Sequence, residues 1–408
     1  MSTVSLPESE WLRTLAQRQP KAAELLEKSP EEQRRLGYFH TLREICQQPS
    51  TWKQTCEIML RQMPALKASV KGIGSLILTG SGSSEYAGDC VRLVLQNELK
   101  IVTQAISGGI ILANGVKGIP PERPALMVSI ARSGDSPESV GALALLLKSE
   151  PAIHHLILTC NTNGSLANTF NDDPRVTVIT LDKATNDQGL VMTSSFTNLL
   201  LGARFLGLLE QPKLYQSIAD GAAKIADQII SKYFGIIAQV AKAPFKRVVF
   251  LGDGSNFGAA REASLKMLEM TAGRVTTMFE SYLGLRHGPM SFVHEDCLLV
   301  AFLSSNSVLR AYETDLLREL DRKDLGLLKI IVGESIPAEL VREGDVALEC
   351  AGLRALGDEN AAIIHVLVGQ LLGFFRCMQE GLQPDSPSES GVISRVVQSF
   401  TLHIADPK

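Results

Sequence analysis

Four short β-type apolar runs set the first pattern in the chain: Leu76-Ile77-Leu78, Ala125-Leu126-Met127-Val128, Leu156-Ile157-Leu158 and Val176-Thr177-Val178-Ile179. A half-buried strand would alternate apolar and polar residues; continuous runs predict strands covered on both faces, as in a parallel sheet. Helical stretches at 86–98 and 136–148 separate them. Strand–helix alternation predicts a doubly wound α/β architecture. Up to about residue 70 the chain is instead charged and helix-forming. There, Ser29-Pro30-Glu31-Glu32 predicts a helix start, with Ser29 as N-cap and acids in the first turn.

The pattern then repeats. Leu78-Thr79-Gly80-Ser81-Gly82-Ser83-Ser84 recurs as Phe250-Leu251-Gly252-Asp253-Gly254-Ser255-Asn256, each copy after a β run and before an Ala-containing helix. The second unit starts at Arg247-Val248-Val249-Phe250 and continues through Leu298-Leu299-Val300-Ala301-Phe302 and Leu328-Lys329-Ile330-Ile331-Val332. A helical stretch at 210–240 joins the halves, and the Pro/Ser-rich 384–391 reads as irregular. The expected organisation is an N-terminal helical segment over 1–50, α/β domains over 51–212 and 213–380, and a tail over 381–408.

At 408 residues, two domains are the expectation from length alone. A net charge of −4 gives no footprint for nucleic acid or an anionic membrane, so an anionic ligand needs local donors. The seven cysteines contain no CxxC, which excludes zinc and redox motifs and points to reduced thiols in the cytoplasm. Residues 1–8 lack the basic and apolar regions of a leader. The apolar stretch 361–375, interrupted by His365 and Gln370, reads as too short to span a bilayer.

Two turns carry anion-binding chemistry. Gly80-Ser81-Gly82-Ser83-Ser84 ends one strand and opens a helix; Ser133-Gly134-Asp135-Ser136 does the same after the next, with Pro137 at the first helical position. Free N–H groups at a helix start, beside small hydroxyls, suit a phosphate, and this strand edge is where open α/β sheets bind ligands. In the second half the corresponding turn is Leu303-Ser304-Ser305-Asn306-Ser307, so one working phosphate pocket per chain is expected, in the first domain. Glu85 and Phe257 stand where a dinucleotide fingerprint needs glycine, which argues against nucleotide binding. Glu262, Lys266 and Glu269 share one helix face; such spacing is usually a solvated stripe, yet apolar neighbours surround these three. His287, followed by Gly288-Pro289, falls on an abrupt turn a few residues after Glu280.

Over about 70–400 these motifs, with Thr193-Ser194-Ser195-Phe196-Thr197, resemble the tandem sugar-isomerase (SIS) domain family. The chain is similar to the isomerase half of glucosamine-6-phosphate synthase, and closer to the galactosamine-6-phosphate deaminase/isomerase branch, also described as tagatose-6-phosphate ketose/aldose isomerase. The resemblance implies two tandem doubly wound parallel-sheet SIS domains, flavodoxin-like and three-layered, with an N-terminal helical extension. It implies a small phosphorylated sugar held by Gly82, Ser83, Ser84, Ser133, Gly134, Asp135 and Ser136, with Thr193 beside it. Glu269 would move a proton between C1 and C2, and His287, supplied by a neighbouring subunit, would assist ring opening. Lys266, Glu262 and Glu280 would support them. No metal and no cofactor are implied; a homodimer with shared sites is, and pairing into tetramers stays open.

Three departures bear on the chemistry. The synthase's glutamine-hydrolysing domain is absent. Its tail lysine has no lysine counterpart here; Arg395, in the tail that would close the site, is the nearest cation, and an always-protonated arginine cannot form a Schiff base. Ala131-Arg132 replaces a hydroxyl–amide pair. The expected function is deamination and isomerisation of an amino-sugar 6-phosphate, galactosamine 6-phosphate giving tagatose 6-phosphate and ammonia, in amino-sugar catabolism. The alternatives are an aldose–ketose isomerase on a non-amino sugar phosphate and a non-catalytic sugar-phosphate sensor, against which the N-terminal 70 residues count, since they carry neither a convincing helix-turn-helix nor a basic face.

Overall fold

The computed structural model describes residues 10–397 and 400–403, so residues 1–8, read above for a leader, lie outside it. Short helices occupy most of 10–70, and Ser29 caps one of them through its Oγ, which accepts from Glu32 N–H at 3.2 Å. Two five-stranded sheets follow. The first contains β1 (Ser75–Gly80), β2 (Val102–Ser107), β3 (Ala125–Ala131), β4 (Ile153–Thr159) and β5 (Val176–Thr180), ordered β2-β1-β3-β4-β5. The second contains β6 (Arg247–Leu251), β7 (Thr276–Glu280), β8 (Cys297–Phe302), β9 (Leu328–Gly333) and β10 (Val346–Glu349). Read from its other edge, that sheet runs β7-β6-β8-β9-β10, the same order. All pairings are parallel.

Every residue of β1, β3 and β8 is buried, which is why these strands read as unbroken apolar runs. Strands β2, β7 and β10 lie at sheet edges and are half-solvated, so their sequences carry no such run. In each sheet the order reverses between the first and third strands, and that switch point is where the turns after β1 and β3 open.

One apolar core joins the halves: Leu76 and Leu78 of the first sheet and Val248 and Phe250 of the second belong to it, along with the long helix Pro212–Val240. The apolar stretch at 361–375 forms most of the helix Asp358–Gln379. At 22 residues that helix is long enough to cross a bilayer, contrary to the reading from its interrupted run, yet 94% of its most apolar window is buried inside the protein. It packs along the helix Ser255–Met270 through glycines: a Cβ at Gly369 would lie 2.5 Å from Ala263 Cβ, and one at Gly373 2.9 Å from Met270 Sδ. A Cβ at Gly258 would lie 2.7 Å from Cys90 Sγ on the helix Ser83–Leu99, so the helices that follow β1 and β6 also meet backbone to backbone. All seven cysteines are free and buried.

Gly369→Val forces the two helices apart, and overpacking of this kind costs about 2 kcal/mol. A lowered urea midpoint at unchanged m-value is the expected outcome; a wild-type midpoint contradicts the close packing.

Candidate active site

A cavity of about 560 Å³ opens at the switch point of the first sheet, lined by the turns after β1 and β3, by Leu190, Met192 and Glu269, and by tail residues Gly391–Arg395 and Val397. The first turn depends on Gly82, whose φ of +58° and ψ of −129° suit glycine alone. It brings Ser81, Ser83 and Ser84 to the wall, and Ser81 Oγ is buried with no hydrogen-bond partner among the described residues. The second turn brings Ser133, Gly134 and Ser136. Ser136 occupies the N-cap of the helix Pro137–Ser149 but makes no side-chain cap bond, which leaves its hydroxyl uncommitted to the helix.

Opposite the serines stand the charged residues of the helix Ser255–Met270. Lys266 has no exposed side-chain surface. Its ammonium pairs with Glu262 Oε1 at 3.4 Å and with Glu269, and donates to Ser83 Oγ at 3.1 Å. The three-residue face is therefore a buried charge cluster and not a solvated stripe. Burial would lower the lysine, but the two carboxyls more than offset it and raise it above its ordinary value. Glu262, fully buried, is pushed up to about 8, mainly by desolvation, with Lys266 pulling the other way and Glu269 adding to the rise. Glu269 keeps 23% of its side chain exposed and is the member of the trio on the cavity wall. Arg261 on the same helix pairs with Glu85 at 3.3 Å and with Asp89, and lies 3.9 Å over the Tyr86 ring, which fixes the two helices in register.

The tail forms the remaining wall. Arg132 is buried at the end of β3; its guanidinium donates to Leu190 O at 2.9 Å and to the Arg395 carbonyl, so it ties β3 to the 186–193 segment and to the tail. Arg395 itself donates to Asp187 O at 2.7 Å and Asn186 Oδ1 at 2.6 Å. The N-terminal helices brace this segment from outside: Glu44 accepts from Gln188 N–H at 2.5 Å, and Asp385 accepts from Thr41 N–H at 2.7 Å. Burial, then Asp187, pushes Glu44 up to about 8.

Of the residues singled out in the sequence, the structure gathers Gly82, Ser83, Ser84, Ser133, Gly134, Ser136, Glu269 and Arg395 at one cavity, with Lys266 and Glu262 directly behind Glu269. Asp135 is turned away to cap a short helix, its Oδ1 accepting from Ser165 N–H at 2.8 Å. Thr193 is fully buried, its N–H given to Asp187 Oδ2 at 2.7 Å, and Leu190 and Met192 form the wall in its place. Glu280 accepts from its neighbour Ser281 N–H at 2.8 Å, and His287 is exposed; neither lines this cavity. Sequence reasoning included Ser81 in the first serine turn without naming it as a site residue, and gave Arg132 no role. The signal for Arg132 was present, a lone guanidinium directly after a strand that is apolar but for Ser129.

No family model matches the chain. Individual relatives do. A Streptomyces coelicolor protein carrying the AgaS name is 37% identical over 374 residues, 89% of this chain and 95% of that one. The D-galactosamine-6-phosphate deaminase AgaS of Shewanella sp. (strain ANA-3) is 33% identical over 385 residues, 92% of this chain and 94% of its own. Among solved structures, tagatose-6-phosphate ketose/aldose isomerase from Escherichia coli superposes with a TM-score of 0.79 at 28% identity, covering 89% of this chain and 96% of that one. Identity and coverage at these levels, over a chain with two like-ordered parallel sheets of the SIS type, mean that this protein belongs to the D-galactosamine-6-phosphate deaminase AgaS family.

Proposed function

We propose that this chain deaminates and isomerises an amino-sugar 6-phosphate, converting galactosamine 6-phosphate and water to tagatose 6-phosphate and ammonia, as a hydrolytic enzyme of the cytoplasm. One observation carries the reading: a carboxylate held by a buried lysine, Glu269 on Lys266, faces two serine-rich helix-start turns across one cavity. The relatives' names point to the same substrate class.

Each part has a physical role. The turns at 81–84 and 133–136 offer hydroxyls and helix-start N–H groups to the phosphate. Arg132 and Arg395 add two guanidiniums with no carboxylate within ion-pair distance among the described residues, which suits a dianion better than a neutral sugar. With the ring open, Glu269 removes the C2 proton; the electron pair forms the C1=C2 bond of an enolamine as O1 takes the proton that the substrate's ammonium gives up, and return of the C2 proton to C1 leaves an imine at C2. Water adds to that imine, and the C2–N bond breaks to release ammonia and the ketose. Lys266 holds and aims the Glu269 carboxylate, while Glu262, neutral near pH 7, leaves the lysine's charge to Glu269.

His287 lies outside this chain's cavity, so in this reading a second copy supplies the histidine that assists ring opening, in a homodimer with shared sites. A plain ketose–aldose isomerisation would use the same proton transfer and release no ammonia.

Glu269→Gln removes the base while keeping the side chain's shape. A loss of kcat of about 10²–10⁴-fold is expected, with the phosphosugar Kd unchanged within a few-fold; a wild-type kcat sinks the assignment. The pH profile tests Glu262. Its pKa of about 8 means that the neutral form dominates below that pH. Above it a second carboxylate competes for Lys266, so wild-type activity falls on the alkaline side. Glu262→Gln stays neutral, so near-normal activity at pH 7 and an alkaline limb moved upward are expected; an unmoved limb contradicts the role given to Glu262.

A further inference from the structure

The two halves repeat one frame with different side chains at the ligand edge. Gly82 (φ +58°, ψ −129°) and Gly254 (φ +58°, ψ −126°) open matching helices in the same conformation. The next turn repeats as well: Asp135 N–H donates to Ser133 Oγ at 3.2 Å, and Asn306 N–H to Ser304 Oγ at 2.9 Å. In the first half both turns face the open cavity. In the second half the equivalent turn already holds an anion from the protein itself. The Asp358 carboxylate accepts from Ser305 N–H at 2.6 Å, from Asn306 N–H at 3.3 Å and from the Ser304 hydroxyl.

Asp358 is the first residue of the helix that follows the second sheet; the corresponding helix of the first half, Ser194–Arg204, begins with a serine whose hydroxyl donates to Glu44 O at 2.8 Å. Asp253 stands where the first half has Ser81, so a second acid faces the same region. A cavity of about 580 Å³ nonetheless remains there, lined among others by Gly254, Ser255, Ser305, Asn306, Arg354 and Asp358.

We propose that the turn at 304–306 is a phosphate cradle kept filled by the tethered carboxylate of Asp358. Backbone N–H groups at a helix start, together with a hydroxyl, bind an anion whatever its source. A carboxylate fixed on the adjoining helix acts at an effective concentration no free phosphate matches, and Asp253 repels a dianion that approaches. The cradle therefore takes inorganic phosphate or a phosphate monoester once these acids are gone, and the native chain holds one phosphosugar where its frame provides for two. This does not depend on the reaction proposed above.

Inorganic phosphate is the probe, titrated into the full chain with phosphorus NMR for stoichiometry and followed by a crystal structure in phosphate. Wild type is expected to bind one phosphate per chain. Asp253→Ser/Asp358→Ser together are expected to bind two, with the second on Ser304, Ser305 and Asn306, at a Kd at least tenfold tighter than any second event in wild type. A folded double variant that binds one phosphate, or a wild type that binds two, overturns the proposal. Should the double variant be unfolded in chloride, refolding in phosphate at matched ionic strength supports it, and failure to refold there overturns it.

Discussion

Lys266 is a full positive charge with no exposed side-chain surface, and the arrangement of the site follows from what is needed to keep it there. A buried ammonium is tolerated only with charge and hydrogen-bond partners, and removing one partner from such a pair costs about 3–5 kcal/mol. Here the partners are Glu262 and Glu269 on its own helix and Ser83 on the other half of the chain. Satisfying the lysine therefore fixes the distance between the serine turn after β1 and Glu269 on the helix Ser255–Met270. Close helix contacts at Gly258, Gly369 and Gly373 make that spacing rigid.

The tail and the N-terminal helices complete the enclosure. Arg132 holds the Arg395 carbonyl, Arg395 holds the Asp187 carbonyl and the Asn186 side chain, and Glu44 and Asp385 connect that region to the helix Phe39–Cys46. Segments far apart in sequence thus share one polar network around the cavity, in which the loss of one donor strands several acceptors.

Sequence was informative where a strand carries a compact β-type run. The buried strands β1 and β8 and the edge strand β5 carry such runs and were read directly, while the half-solvated edge strands β2, β7 and β10 carry none and were missed. Local motifs located the serine turns because a helix start dictates its own residues. The same logic could not foresee the side chain of Asp135, since a polar residue in such a turn can cap a neighbouring helix as readily as face a cavity. Spacing placed Glu262, Lys266 and Glu269 on one face but could not tell a solvated stripe from a buried cluster; that depends on the helices packed around them, which only the fold supplies. Thr193 shows the converse, a motif residue whose backbone carries the contacts, to Asp187 and Gln370.

The internal repeat explains how two like-ordered sheets produce one site. Where the first half keeps Ser81 and an open turn, the second has Asp253 and a carboxylate already seated in its turn, so divergence of a few side chains on an unchanged frame separates an open serine-lined turn from one filled by the chain's own acid. The central claim is the chemistry of that single pocket, and the most direct test is ammonia release from galactosamine 6-phosphate and glucosamine 6-phosphate measured side by side with the intact protein. Rapid release from the galacto sugar, with tagatose 6-phosphate formed in equal amount, is the predicted result. Folded protein that releases no ammonia from either sugar would contradict the account.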